Sequence, residues 1–207
     1  MTITAKQYTD LDKAYEYFNK KLFDGNLPEC LITLQRHPKT RGYHHHEKFT
    51  SRKDGSRISE IALNPDGFTD RTDIEILSTL AHEMTHVQQW TLPEPPRAGY
   101  HDKEFAILMS EIGLQVSNTG EPGGKTTGQK MSHYILKGGK FETVAGAFLL
   151  SGDKFQWNSR PNIKVTKERK KTREKFTCKT CMQSAWAKKT ANLMCGECEE
   201  KMVIEDE

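Results

Sequence analysis

The hydrophobic positions of this chain change period several times, and each change marks an element. Leu11, Ala14, Tyr15, Phe18 and Leu22 recur at intervals of three and four, which predicts an amphipathic helix behind a Thr9/Asp10 cap, ended by Asp24-Gly25-Asn26. Short runs rich in β-branched and aromatic residues follow at Leu31–Leu34, around Tyr43–Phe49 and at Ile58–Leu63. They predict a small antiparallel sheet. From Thr72 to Trp90 helical spacing returns in Ile74, Ile76, Leu77, Leu80, Ala81, Met84 and Val87, a helix buried nearly all round that Pro93, Pro95 and Pro96 stop. A third helix starts near Asp102, carries Phe105, Leu108, Met109 and Ile112 on one side, and closes at Gly113. Glu121 to Gly128 reads as a loop, and residues 131–157 as a hairpin turning at Lys137-Gly-Gly-Lys140. Helices and a small sheet in separate runs give an α+β fold class.

Composition narrows the setting. The chain has 207 residues, 35% hydrophobic and 29% charged, with a mean hydropathy of -0.75, enough for one medium domain and a small appendage. No window approaches the roughly 18 uninterrupted apolar residues of a membrane span. The start, Met-Thr-Ile-Thr-Ala-Lys, lacks the apolar stretch and cleavage site of a secretory signal, so a cytoplasmic location and no membrane partner are expected. In that compartment the five cysteines are reduced, and close pairs read as metal ligands before they read as disulfides. The net charge of +3 hides an asymmetry: residues 1–159 carry -1, residues 160–189 carry +9 and residues 190–207 carry -5. A boundary near residue 160 follows. Nothing in the sequence speaks to an oligomeric state.

Within the second predicted helix stands His82-Glu83-Met84-Thr85-His86. Residues four apart share a helical face, so two imidazoles there can grip one zinc ion, while Glu83, one step round, can act as general base on a water that zinc acidifies from near 15.7 to roughly 7. A catalytic zinc needs a third protein ligand and an open position. Glu94, His101 and Glu104 are the downstream candidates. His101 is preferred, because the fourteen residues between it and His86 include a proline-rich loop able to turn the chain back to the metal. Glu94 reads otherwise as a loop acid and Glu104 as a surface helix charge.

Cys178-Lys-Thr-Cys181 and Cys195-Gly-Glu-Cys198 are two CxxC pairs thirteen residues apart. Together they can close a tetrahedral four-cysteine zinc site, and a module of about thirty residues would draw most of its folding energy from such a metal. Cys30 stands alone as a small buried hydrophobe. His44, His45 and His46 alternate across a strand, so they read as an exposed strand unless a bulge brings them together. His133 and Tyr134 precede the predicted hairpin and could stabilise an oxyanion beside zinc, although a strand with a buried Tyr explains them more simply. Trp157 and Trp186 could stack on bases or merely pack. The basic run Lys164–Lys175 has the charge density of a phosphate-tracking segment, with a solvated linker as the alternative.

The ordered set FNKKLFDGNL (18–27), ISEIAL (58–63), ILSTLAHEMTH (76–86) and HDKEFAILMSEIG (101–113) resembles the SprT-like metalloprotease domain, the family that includes Spartan, over about residues 8–160. The resemblance implies a zincin-like domain of helices on a small antiparallel sheet, His82, His86 and His101 as zinc ligands, and Glu83 as catalytic acid/base. It implies action on DNA-protein crosslinks for relatives of the Spartan type, while many short microbial members have no settled substrate. A small β zinc ribbon after the protease domain also resembles the SprT arrangement. One departure is Asp102, where the family usually has Gly after the third His. The expected organisation is therefore a SprT-like metalloprotease domain at 1–160, a basic linker at 161–175 and a four-cysteine zinc ribbon at 176–207, with one catalytic and one structural Zn2+. The expected partners are a protein substrate and DNA, single- or double-stranded, bound through residues 160–198. A nucleic-acid-binding zinc protein with weak or no proteolysis and a general cytosolic peptidase are the competing readings.

Overall fold

The computed structural model describes residues 1–94, 96–159 and 172–204. The chain divides into two units, Met1–Pro161 and Asn162–Glu207. In the first, helix α1 spans Ile3–Leu22 and begins where the Thr2 hydroxyl accepts the Ala5 N–H at 3.2 Å. It starts earlier than the Thr9/Asp10 cap expected from the sequence, because its first turns are largely polar and exposed and show no apolar period. Its buried face holds Leu11, Ala14, Tyr15, Phe18 and Leu22. Asn19 then fixes the exit, its side chain exchanging two hydrogen bonds of 3.1 Å with the backbone of Leu27.

Strands β1 (Cys30–Leu34), β2 (Gly42–Thr50) and β3 (Arg57–Leu63) form a sheet in the order β1-β3-β2. β2 pairs with β3 antiparallel, as expected, but β1 pairs with β3 in parallel register, Cys30 opposite Ser59, so the sheet is mixed. The reason lies in residues 35–41, which carry the chain past β3 rather than turning a hairpin. Asn64 holds that segment through its side-chain amide, bonded to His37 O at 2.8 Å and Thr40 O at 2.7 Å, and through its N–H, bonded to Arg41 O. β2 is thereby an edge strand, broken by an irregularity between His45 and Phe49 at which Glu47 takes a φ of 45°.

Helix α2 (Asp73–Trp90) opens with a capping box in which the Thr72 backbone N–H donates to Glu75 Oε2 at 2.7 Å. Ile76, Leu77, Leu80, Ala81, Met84 and Val87 are all buried, as the dense apolar spacing requires. Asp102 caps α3 (Lys103–Glu111) by accepting the Phe105 N–H at 2.9 Å. Gly113 follows with φ 90°, and a Cβ there would stand 2.8 Å from the backbone nitrogens of Lys140 and Phe141, so only glycine lets the two segments approach.

Residues 131–157 do not form the expected hairpin. β5 (Ser132–Ile135) pairs back with β4 (Leu114–Ser117), and Lys140–Leu150 is a helix, α4. Phe141, Ala145 and Phe148 supply its buried stripe at helical spacing, and the glycines before it start the helix instead of turning a hairpin, with the Gly138 N–H donating to Glu142. Helices α1, α2, α3 and α4 pack into one core, with Ile61 and Leu63 of β3 at its sheet side.

The second unit has strands β6 (Glu174–Thr177), β7 (Ser184–Ala187) and β8 (Val203–Ile204) in the antiparallel order β7-β6-β8. Its small core is Phe176, Cys178, Cys195 and Met202. Most of the expected basic linker, through Lys171, lies outside the described residues. No described helix is long and apolar enough to cross a membrane.

Candidate metal centre and active-site cleft

Helix α2 delivers His82 and His86 to one face, and the chain returns after the proline segment to place His101 against them. The Nε2 atoms of His82 and His101 lie 3.1 Å apart and those of His86 and His101 3.2 Å. All three rings are desolvated, and burial holds each well toward its neutral form. His101 Nδ1 faces Gly128 O at 3.2 Å, which fixes the proton on Nδ1 and leaves the Nε2 lone pair facing the other two rings. His82 is oriented by packing instead, between Phe105 at 5.0 Å and the ring of His133 at 5.0 Å.

Uncharged nitrogens converging in a dry pocket are a donor set that a divalent cation satisfies. Two ligands about 2.0–2.1 Å from a tetrahedral zinc would stand about 3.3 Å apart, close to the spacing found. Imidazoles alone favour Zn, Cu, Fe or Ni over the oxygen-seeking Mg and Ca. The three histidines thus fit zinc. Glu94 and Glu104, the alternatives for the third ligand, are exposed and are not part of the cluster that His82, His86 and His101 form.

Glu83 points from the same helix into a cleft of about 840 Å³ that also exposes the histidine cluster. It is 6% exposed, and burial pushes its carboxyl up to about 8. Its Oε1 sits close under the start of β2: a Cβ on Gly42 would come within 3.1 Å of it.

The other cleft residues divide between sequence expectation and surprise. His133 is inside the cleft, its Nε2 2.8 Å from Ser78 Oγ, and burial with the nearby Arg71 and Arg41 pushes its pKa down to about 3. Its neighbour Tyr134 is half-buried on β5. His45 and His46 are exposed, as expected for a strand. His44, however, is half-buried with its Nε2 lacking a partner among the described residues, and burial together with His46 and His45 pushes its pKa down to about 4. The two outer imidazoles run alongside α2: His44 lies parallel to His86 at 6.4 Å, and His46 stacks on Trp90 at 4.1 Å with 5° between the planes. Gly42, Arg71 and Gln89 were not singled out in the sequence, since nothing in their spacing marks them. The fold does: β2 brings Gly42 against α2, Arg71 bonds Thr79 Oγ1, and Gln89 bonds Asp102.

In the second unit Cys178, Cys181, Cys195 and Cys198 bring their sulfurs together, all within 4.8 Å of one another. The Cys181 and Thr180 backbone N–H groups pull the Cys178 thiol down to about 7, which suits a thiolate ligand. Four cysteines with no open position match a closed structural zinc site, consistent with a zinc ribbon. Cys30 is half-buried beside the Tyr15 hydroxyl at 3.6 Å, away from both clusters. Trp157 and Trp186 are 50% and 64% exposed, so packing does not bury either.

Fold and site define an α+β protein with an HExxH helix, a third histidine brought in by the segment just before the next helix, and a four-cysteine module. Residues 11–126, more than half of the chain, match the SprT-like family. The chain belongs to that family. It is also similar to an uncharacterised protein in the mucB 3′ region of Salmonella typhimurium, 47% identical over 58 residues that cover 28% of this chain and 78% of that one. No solved structure matches.

Proposed function

We propose that the protein is a zinc-dependent endopeptidase acting on DNA-associated proteins, DNA-protein crosslinks among them. The observation that carries the peptidase reading is the convergence of His82, His86 and His101 with a buried Glu83 from the same helix, all opening on one cleft. Zinc bound by those three histidines would supply Lewis acidity to a peptide carbonyl and acidify water beside it. Glu83 would take a proton onto its carboxylate from the water that attacks the carbonyl carbon and pass it to the amine as the C–N bond breaks. A carboxyl pushed up to about 8 by burial is matched to both transfers near neutral pH. His133 stands in the cleft as an uncharged imidazole against His82, where an N–H would meet charge developing on the carbonyl oxygen. The Cys178–Cys198 module carries a second, structural zinc. It supports DNA binding through residues 160–198, a reading that rests on the +9 charge of residues 160–189 and the exposed Trp186.

The deciding experiment uses Glu83→Gln. The amide preserves shape while removing the base, so zinc content should stay the same and hydrolysis of a DNA-bound protein should fall about 10²- to 10⁴-fold. Full proteolysis by the variant would refute the mechanism. Cleavage that is equally fast with and without DNA would favour a general peptidase.

A further inference from the structure

Gln89 is fully buried on α2, one turn beyond His86, and the mechanism above gives it no task. Its amide nitrogen donates to both carboxylate oxygens of Asp102, at 2.9 and 3.1 Å, with Glu104 Oε2 at 3.5 Å. An amide set before two carboxylates can only turn its NH2 toward them. Its oxygen is therefore committed to the other side, where it is buried without a hydrogen-bond partner among the described residues. A buried amide whose nitrogen donates to one carboxylate fixes that carboxylate, and with it whatever the carboxylate anchors.

Asp102 shows what that is. It directly follows His101, and the same Oδ1 that Gln89 reaches also accepts the Phe105 N–H as the cap of α3. His101 is pinned on one side by a reciprocal pair of backbone hydrogen bonds with Gly128, both 2.9 Å, and by its Nδ1. Those bonds tie the third histidine to the segment around Gly128 and leave its distance from α2 unspecified. Phe105 packs on the rings of His86 and His101 at 4.1 and 4.8 Å, which is contact without direction. Beside the histidine contacts themselves, the Gln89–Asp102 pair is, among the described residues, a directional link between the helix that carries two of the histidines and the residue next to the third.

We propose that Gln89 and Asp102 are positioning residues that set His101 at metal-binding distance from His82 and His86. The inference rests on the zinc-site reading above, and it assigns the pair to metal affinity rather than to the chemical step. Gln89→Leu keeps the volume and removes the donor, and Asp102→Asn keeps an oxygen for both the Gln89 and Phe105 donors.

The test measures zinc affinity of the full chain by chelator competition, together with the visible absorption spectrum of the cobalt-substituted protein. Gln89→Leu should weaken the histidine site about 10- to 100-fold and alter its cobalt spectrum, while the cysteine site stays unchanged as an internal reference. Asp102→Asn should stay near wild type. Gln89→Leu combined with Asp102→Gly should be no weaker than the worse single variant, because the two act as one link. Wild-type zinc affinity and cobalt spectrum in Gln89→Leu would overturn the proposal, as would a loss of stability in the metal-free protein with no change in affinity. A wild-type protein that binds metal only at its cysteines would instead overturn the zinc-site reading itself.

Discussion

One methyl group added at Gly42 tests how closely β2 must approach the catalytic helix. The Cβ of Gly42→Ala would lie 2.9 Å from Thr79 Cγ2, 3.0 Å from Ala62 O and 3.1 Å from Glu83 Oε1. Ordinary carbon contacts are about 3.5–4.0 Å, so β2 must retreat by roughly half an ångström or more, or the Glu83 carboxylate must swing aside. Thr79 has little freedom to yield, since its hydroxyl accepts from Arg71 at 2.9 Å. Overpacking of this kind costs about 1–3 kcal/mol, and a catalytic group displaced by about 1 Å loses about 10²-fold in rate. The variant should therefore fold with a lowered Tm, keep its zinc, and show kcat reduced about 10- to 100-fold with KM little changed. Thr79→Ser in the same background removes Cγ2 and should recover stability more than kcat, because the contact with Glu83 remains. Gly67→Ala, which meets nothing within 4 Å, is the control. Wild-type kcat in Gly42→Ala would refute the idea that β2 confines Glu83.

The remaining expectations concern metal, pH and nucleic acid. Metal analysis should find His101→Ala short of about one zinc and Cys195→Ser short of the other, the histidine site exchanging faster because it keeps an open position. The Thr72 hydroxyl and N–H hold the Glu75 carboxyl below its usual pKa, so this group stabilises α2 fully above its unfolded value of about 4.3 and loses that contribution as pH falls through the folded one. Denaturation curves of wild type and Glu75→Gln should accordingly differ at pH 7 and converge as pH falls through the folded-state value. Deleting residues 160–207 should abolish most DNA affinity while the histidine site keeps its zinc. The full-length protein should show a log-log salt slope of about -0.9 per duplex phosphate contacted. A truncated protein with the full-length slope would show the basic segment to be only a solvated linker.

What the sequence made legible was whatever it encodes locally. The HExxH helix, its Thr72 start, the Asp102 cap and the paired cysteines all depend on residues a few positions apart, and the structure has them in place. The third histidine was accessible because a proline segment followed by a cap is also a local signal. α4 was missed although Phe141, Ala145 and Phe148 carry its period, because Lys137-Gly-Gly-Lys140 looks equally like a hairpin turn. The parallel pairing of β1 was not legible, since it depends on Asn64 holding a loop of residues 37–41 that precedes it by more than twenty positions. The same holds for Gly42, whose place is set only when β2 meets α2, and for Gln89, whose partner Asp102 is the cap of the next helix.

The stacking of His46 on Trp90 makes the strand-to-helix seam optically readable. Trp90 ends the helix one turn beyond His86, with its indole flat against an imidazole from β2. The other two tryptophans, Trp157 and Trp186, are at least half exposed. Emission from a Trp157→Phe, Trp186→Phe protein, excited at the red edge where only tryptophan absorbs, would come from Trp90 alone. Its intensity and wavelength would follow the spacing of β2 and α2 in real time, so metal loading and peptide entry could be timed by stopped flow without any attached dye.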